Sequence, residues 1–429
     1  MQQTQPRRRF RPIRSGPINW GEIMTIGVGG SSAESELGQM TSMRDGVEPI
    51  SDQELRTRIE KAQRLMREQG IQALYLDAST SLFYFTGLRL GVSERLHGAV
   101  IPDSGDVAYL CPAFEEAKTR SMLRIGHDVR TWEEHEDPTA LVIDTLAGMG
   151  HVSGTLAVDE LTPFFTFDGL RRAGSDFAFV NGSRISAPCR MVKSSAELAL
   201  MQRAKDITLR VHAATARILR PGITTEEVQA FIADAHRRLG VDGDLSFCIV
   251  LFGEATAYPH GVPNPPPLRE GDMVLIDTGA RIEGYHSDIT RSYVFGEPNQ
   301  KQRQIWNLEK AAQAAAFEAA QIGTPCEQVD AAARTVIERA GLGPGYAVPG
   351  LPHRTGHGIG LDVHEWAYLV RGDTTPLAPG MCFSNEPMIC LYGEFGVRIE
   401  DHFYMAEDGP RWFTTPSHSV DDPFRGVPA

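Results

Sequence analysis

Met273-Val-Leu-Ile-Asp277-Thr-Gly279 is the segment that most constrains what this chain can fold into. An uninterrupted apolar run of this kind marks a strand buried on both faces. Asp277 continues the run, where an ionised carboxylate is costly unless it is paired or holds a metal. The chain turns around Glu283-Gly284 and returns through Tyr285-His-Ser-Asp288. Reflection about the peptide between Ile282 and Glu283 pairs Asp277 with Asp288, to within about one residue. Two carboxylates side by side on one face of a hairpin repel each other, and a cation between them reverses the sign. Taken singly, either residue could instead stabilise a turn or sit in an ion pair.

The same device returns near the C-terminus. Cys382-Phe-Ser-Asn-Glu386-Pro and Gly396-Val-Arg-Ile-Glu400-Asp401 reflect about Gly393, which sets Glu386 opposite Glu400. Between the hairpins runs His353-Arg-Thr-Gly-His357-Gly-Ile-Gly-Leu-Asp-Val-His364, with Gly356, Gly358 and Gly360 around His357. Glycines there permit close backbone approach while the imidazole is placed. A lone histidine in such a segment is most often structural. Here three fall within twelve residues, beside two acidic pairs. The expected ligand set is Asp277, Asp288, His357, Glu386 and Glu400: carboxylates and one imidazole, without thiolate. That hard, oxygen-rich set fits Mn²⁺, Co²⁺ or Zn²⁺ better than Cu(I) or an iron–sulfur cluster. Four carboxylates balance two divalent ions, an arrangement suited to hydrolysis.

Composition narrows the alternatives. Among 429 residues, 42 are basic and 55 acidic, giving a net charge of −13, so nucleic acid is not an expected partner. No apolar run approaches the roughly 18 residues of a membrane-spanning helix. The six cysteines (Cys111, Cys189, Cys248, Cys326, Cys382 and Cys390) form no CxxC pair and read as small buried residues of a reducing, cytoplasmic protein. Residues 1–43 carry five arginines and three glutamates, then a Gly/Ser run. They read as a disordered or non-native extension, with Met24, Met40 or Met43 as a later start. Order is expected from Ser51, where Ser51-Asp-Gln-Glu54 reads as a capping box. Short strands at Ala73–Leu76, Ala99–Ile101, Val107–Cys111, Val129–Trp132 and Leu156–Val158 alternate with helical stretches, predicting an α/β layer. A second capping box, Ser194-Ser-Ala-Glu197, opens a long helix after a boundary at about residues 185–190.

At these residues the sequence resembles the pita-bread metallopeptidases, among them methionine aminopeptidase, aminopeptidase P and prolidase. Asp277, Asp288, His357, Glu386 and Glu400 match the family's ligands in type and order, and Phe83-Tyr84-Phe85-Thr86-Gly87 resembles a segment of the creatinase/prolidase N-terminal domain. Methionine aminopeptidases lack that domain, and creatinase lacks the ligands. The resemblance implies an α/β creatinase-like N-terminal domain over 44–187 and an α+β pita-bread catalytic domain over 188–429. It implies two divalent ions, manganese first, with zinc or cobalt also accepted. It also implies a homodimer, and a small peptide substrate with proline in second position. The implied reaction is attack by a metal-bridging hydroxide, with Glu386 shuttling the proton. His260 and His364 would stabilise the oxyanion or position substrate, and His353 would support the pocket. Arg371 and Arg398 are the expected carboxylate-binding cations. The alternatives are a solvated loop arginine beside Asp373 for Arg371, and neutralisation of the acidic cluster for Arg398. The favoured activity is that of a Xaa-Pro dipeptidase. Aminopeptidase P is the runner-up, and a binding protein without catalysis is the third reading.

Overall fold

The computed structural model describes residues 25–427. Its first layer is a six-stranded mixed sheet. Across the sheet the strands run Asp128–Trp132, Ala108–Pro112, Gly98–Pro102, Ala73–Leu76, Gly154–Val158 and Phe177–Asn181. Ala73–Leu76 is parallel to Gly154–Val158 and antiparallel to Gly98–Pro102. Strand alternation sorts its side chains onto two faces. Leu74 and Leu76 join the cluster that holds Leu55, Ile59, Ala62 and Met66 of the helix Asp52–Gln69. Ala73 and Tyr75 join Val142 and Leu146 of Pro138–Gly148 and Leu170 of Phe164–Ala173. The strands and helices expected from alternation are therefore present, sandwiched as an α/β layer.

The second part wraps two helix pairs around antiparallel sheets. Ser195–Ile218 packs on Thr225–Leu239, and Gln300–Ala319 on Cys326–Arg339. Ser194 and Glu197 form the reciprocal capping box that their spacing predicts. At Ser51 only half of that motif forms. The Ser51 hydroxyl accepts from the Glu54 amide, while the Glu54 carboxylate accepts instead from Arg58 at 2.7 Å and from the Ser194 hydroxyl at 2.8 Å. Glu54 thus ties the first layer to the start of the long helix.

The reading of residues 1–43 as an unstructured extension is corrected for residues 25–43; residues 1–24 lie outside the described residues. Thr25, Val28 and Glu36 are buried, and Ala33–Gly38 is a short helix capped by Ser32. The amides of Gly29 and Ser31 donate to the carbonyls of Ala216 and Arg217, and Glu36 pairs with Arg217 at 2.7 Å. Those carbonyls are among the last of Ser195–Ile218; the Leu219 cap amide also donates to Ala216, and Gly29 and Ser31 add donors at this C-terminus, so the segment is held by capping the helix end.

The three-stranded sheet that carries Asp277 has Met273–Gly279 at its centre, between Phe247–Phe252 and Ile289–Val294. A five-stranded sheet orders Glu365–Leu369, Gly356–Gly358, Cys382–Asn385, Asp401–Ala406 and Gly409–Trp412. The ribbon Met388–Leu391/Phe395–Arg398 completes the frame. Among the described residues no helix is long and apolar enough to cross a membrane.

Candidate active site

The second acidic hairpin forms in the expected register. Met388 pairs with Arg398 on one side and Asn385 with Asp401 on the other, so Glu386 and Glu400 face each other between them. Gly393 closes the ribbon with φ +80°, a conformation that suits glycine. The first hairpin is shifted. Asp277 pairs with Thr290 rather than Asp288, because the turn is centred on Glu283-Gly284, both at positive φ, one residue later than the reflection placed it. Asp277 and Asp288 consequently meet on the diagonal of one face, near enough that the charge of Asp277 acts on the Asp288 carboxyl.

The His357 segment is placed by close backbone packing. A Cβ on Gly356 would lie 2.1 Å from the Ser384 carbonyl oxygen, and one on Gly358 would lie 2.4 Å from that of Trp366. Neither position can carry a side chain without moving a strand. Asp330 accepts from both the amide and the hydroxyl of Thr355, which pins the approach to His357. The His357 Nδ1–H donates to the Gly358 carbonyl at 2.9 Å. Nε2 is thereby left facing Glu386 Oε1 at 3.1 Å and Asp288 Oδ2 at 3.7 Å. A nitrogen so oriented needs a proton or a cation between it and those oxygens.

Two overlapping triads can hold a metal: Asp288/Glu400/His402 and His357/Glu386/Glu400, with one ligand atom from each residue lying within 4.8 Å of the others. Asp277 Oδ1, Asp288 Oδ1 and Glu400 Oε1 are buried without a hydrogen-bond partner. Burial, together with the charges of Glu400 and Asp277, pushes the Asp288 carboxyl well above its ordinary range. Burial, Glu386 and Asp277 do the same to Glu400. Acceptors this crowded and this buried are stable as anions only with a cation among them, so the donor set fits divalent metal.

The histidines expected at the site do gather there. His260, His353, His364, His357, Glu386 and Arg398 line one cleft of about 470 Å³, together with Tyr258 and Arg354. The His364 ring meets that of His357 edge-on at 4.2 Å between centroids. Burial, His357 and Arg354 pull the His364 imidazole down to about 4, so it is neutral at neutral pH. The His353 Nδ1–H donates to the Arg354 carbonyl, 2.7 Å away, and its Nε2 has no partner.

Arg398 is committed to neutralising the acidic cluster. Its Nη2 donates to Asp277 Oδ2 at 2.5 Å, its Nε to Thr290 Oγ1 and its Nη1 to the Pro259 carbonyl. Arg371 is a correction. It lies outside the cleft, in a separate surface pocket with Glu327, Arg334 and Glu338, and its guanidinium sits 5.8 Å from the Tyr346 ring. Glu365–Leu369 leads directly into the exposed turn that holds Arg371 and carries it past the cleft. Arg354 occupies the wall that Arg371 was expected to supply, stacked 4.5 Å from the Tyr368 ring. Its place beside His353 was the available signal. His402 is not in the expected ligand set, although it stands two residues after Glu400, the spacing that puts strand side chains on one face.

The His364 loop is anchored by the segment that joins the two parts of the chain, and by Thr80 of the first layer. Arg190 Nη2 donates to Asp362 at 2.7 Å and to Glu365 at 2.6 Å, Lys193 Nζ donates to Glu365 at 2.8 Å, and the Thr80 hydroxyl donates to Asp362. No local pattern shows these partners.

Comparison with known proteins agrees with this geometry. Residues 199–407 match metallopeptidase family M24, and residues 58–192 match the creatinase/prolidase N-terminal domain. Over 345 residues the chain is 38% identical to the probable dipeptidase PepE of Mycobacterium tuberculosis, spanning 80% of this chain and 89% of that protein. It is 31% identical over 366 residues to the Xaa-Pro dipeptidase of Lactobacillus helveticus, spanning 83% of this chain and 96% of that one. Its fold is similar to the crystal structure of dipeptidase PepE from Mycobacterium ulcerans, with a TM-score of 0.80 and 34% identity over 87% of this chain and 98% of the other. The chain belongs to metallopeptidase family M24, with a creatinase/prolidase N-terminal domain ahead of the part that matches that family.

Proposed function

We propose that this protein is a Xaa-Pro dipeptidase with two divalent ions at Asp277, Asp288, His357, Glu386 and Glu400, divided between an N-terminal domain over 44–187 and a catalytic domain over 188–429. The observation that carries the reading is the single cleft in which His260, His353, His364 and Arg354 face Glu386 and His357. Its volume of about 470 Å³ suits a small peptide. When bound, the ions supply Lewis-acid polarisation of the scissile carbonyl and acidify a water.

The chain's own residues do the rest. A Xaa-Pro bond is a tertiary amide, so its nitrogen offers no N–H to grip and must be protonated to leave. Glu386, at the cleft wall, carries that proton from the attacking water to the proline nitrogen. His364 is neutral at pH 7 and donates one ring N–H to the developing oxyanion, with His260 beside it in the same cleft. His353 lines the cleft and has an unpartnered Nε2. Arg354 receives the substrate carboxylate, and Arg398 pairs with Asp277, opposing the burial that raises its carboxyl above the ordinary range. Manganese is the first candidate metal for this oxygen-rich set, with zinc and cobalt next. The same reading carries a homodimer, for which light scattering should give twice the chain mass.

Hydrolysis of Ala-Pro beside a Xaa-Pro-Xaa tripeptide, after chelation and with Mn²⁺ restored, tests the proposal. Metal-dependent cleavage of the dipeptide alone is the expected result. Cleavage of the tripeptide at an equal or higher rate would make the protein an aminopeptidase P. Metal binding with no cleavage of either would overturn the substrate assignment.

A further inference from the structure

Beyond the five ligands, one buried side chain aims at the metal site without an assigned task. His402 lies on Asp401–Ala406, opposite Ser384, and is wholly inaccessible to solvent. Its neighbour Asp401 points to the other face, where Arg291, Gln313 and Thr414 all donate to it. His402 follows Glu400 onto the metal-site face. Both of its ring nitrogens are buried with no hydrogen-bond partner. A neutral imidazole always carries one N–H and one lone pair. Leaving both unused in the interior forfeits their hydration without return, so a partner is expected.

The nearest acceptors are themselves orphans. His402 Nε2 is 3.4 Å from Glu400 Oε1, and both Glu400 Oε1 and Asp288 Oδ1 lack partners. The three residues present ligand atoms mutually within 4.8 Å. A proton shared between Nε2 and Glu400 would satisfy two of these groups and leave the Asp288 oxygen bare. A cation among all three would satisfy the Nε2 lone pair and both oxygens, with the Nδ1–H unpaired in either arrangement. We propose that His402 Nε2 is a donor to the ion held between Asp288 and Glu400, adding a second imidazole nitrogen to the ligand set. The inference rests on the reading of this cluster as a divalent-metal site and deepens it. The added donor brings no charge, so it raises the coordination number without upsetting the balance between four carboxylates and two ions. It also shifts the site toward zinc and cobalt, for which imidazole is a good ligand.

The test is proton NMR of the cobalt-loaded full-length protein. Each cobalt-bound imidazole shows one strongly shifted, solvent-exchangeable ring N–H. Two such resonances are expected in the unaltered protein, one from His357 and one from His402. In His402→Gln one should disappear while the other stays, and cobalt should bind at least about tenfold more weakly. A single resonance in the unaltered protein that carries its full cobalt would overturn the proposal and leave the metal site standing, with His402 reduced to a hydrogen-bond donor to Glu400. Failure to take up cobalt at all would overturn the metal-site reading and this inference with it. The count on the unaltered protein decides the matter even if His402→Gln does not fold.

Discussion

Glu365→Gln probes the joint between the two layers. The Glu365 carboxylate is buried, accepts from Arg190 and Lys193, and also accepts the amides of Leu361 and Asp362. Burial alone would raise its pKa, but Arg190 and Lys193 outweigh that and hold it at about 2, down from 4.5. The difference corresponds to about 3 kcal/mol in favour of the charged form. Removing one member of a buried ion pair independently suggests about 3–5 kcal/mol. A glutamine keeps the shape but removes the charge, and turns an NH₂ group toward donors. Chemical denaturation at pH 7 and fixed metal concentration should therefore show a loss of about 3 kcal/mol. The folded pKa is depressed, so the stabilisation is present above about 4.5 and lost as pH falls toward about 2. The gap between the two proteins should close over that window. Combining Glu365→Gln with Arg190→Met should lose less than the two single changes together, because they share one ion pair. A loss below about 0.5 kcal/mol at pH 7, or a gap that stays constant down to the bottom of the window, would refute the reasoning.

Three further outcomes are expected. Burial holds the imidazoles of His236 and His286 down to about 4, so folding excludes their protons, and stability should decline as pH falls from about 6.5 to about 4; a flat urea midpoint across that range would contradict it. His364→Ala should cut kcat by about a hundredfold or more with metal content unchanged, whereas Arg371→Ala should leave KM for Ala-Pro within about twofold, since Arg371 lies outside the cleft; steady-state kinetics with metal analysis reads both.

What the sequence determined by itself was local. Alternation placed the strands, because successive side chains on a strand point to opposite faces wherever it lies. Capping chemistry placed the start of Ser195–Ile218, because Ser194 and Glu197 satisfy each other within one turn. Gly393 set the register of Glu386 against Glu400, because a hairpin turn dictates the pairing on both sides. The first hairpin shows how narrow that margin is: moving the turn by one residue set Thr290 opposite Asp277, and only the shared face kept Asp288 in reach.

Tertiary structure decided everything that depends on which distant surface arrives. It put residues 25–43 against the open end of a helix whose carbonyls needed donors. It set Arg190 beside Glu365, far along the chain, where two buried charges stabilise one another. It took Arg371 out of the cleft and put Arg354 in, and it folded His402 under Glu400 with both ring nitrogens unpaired. A side chain's type and spacing are written in the chain. Its partner is settled by burial, because desolvating a charge or an imidazole is tolerable only where the fold brings its complement.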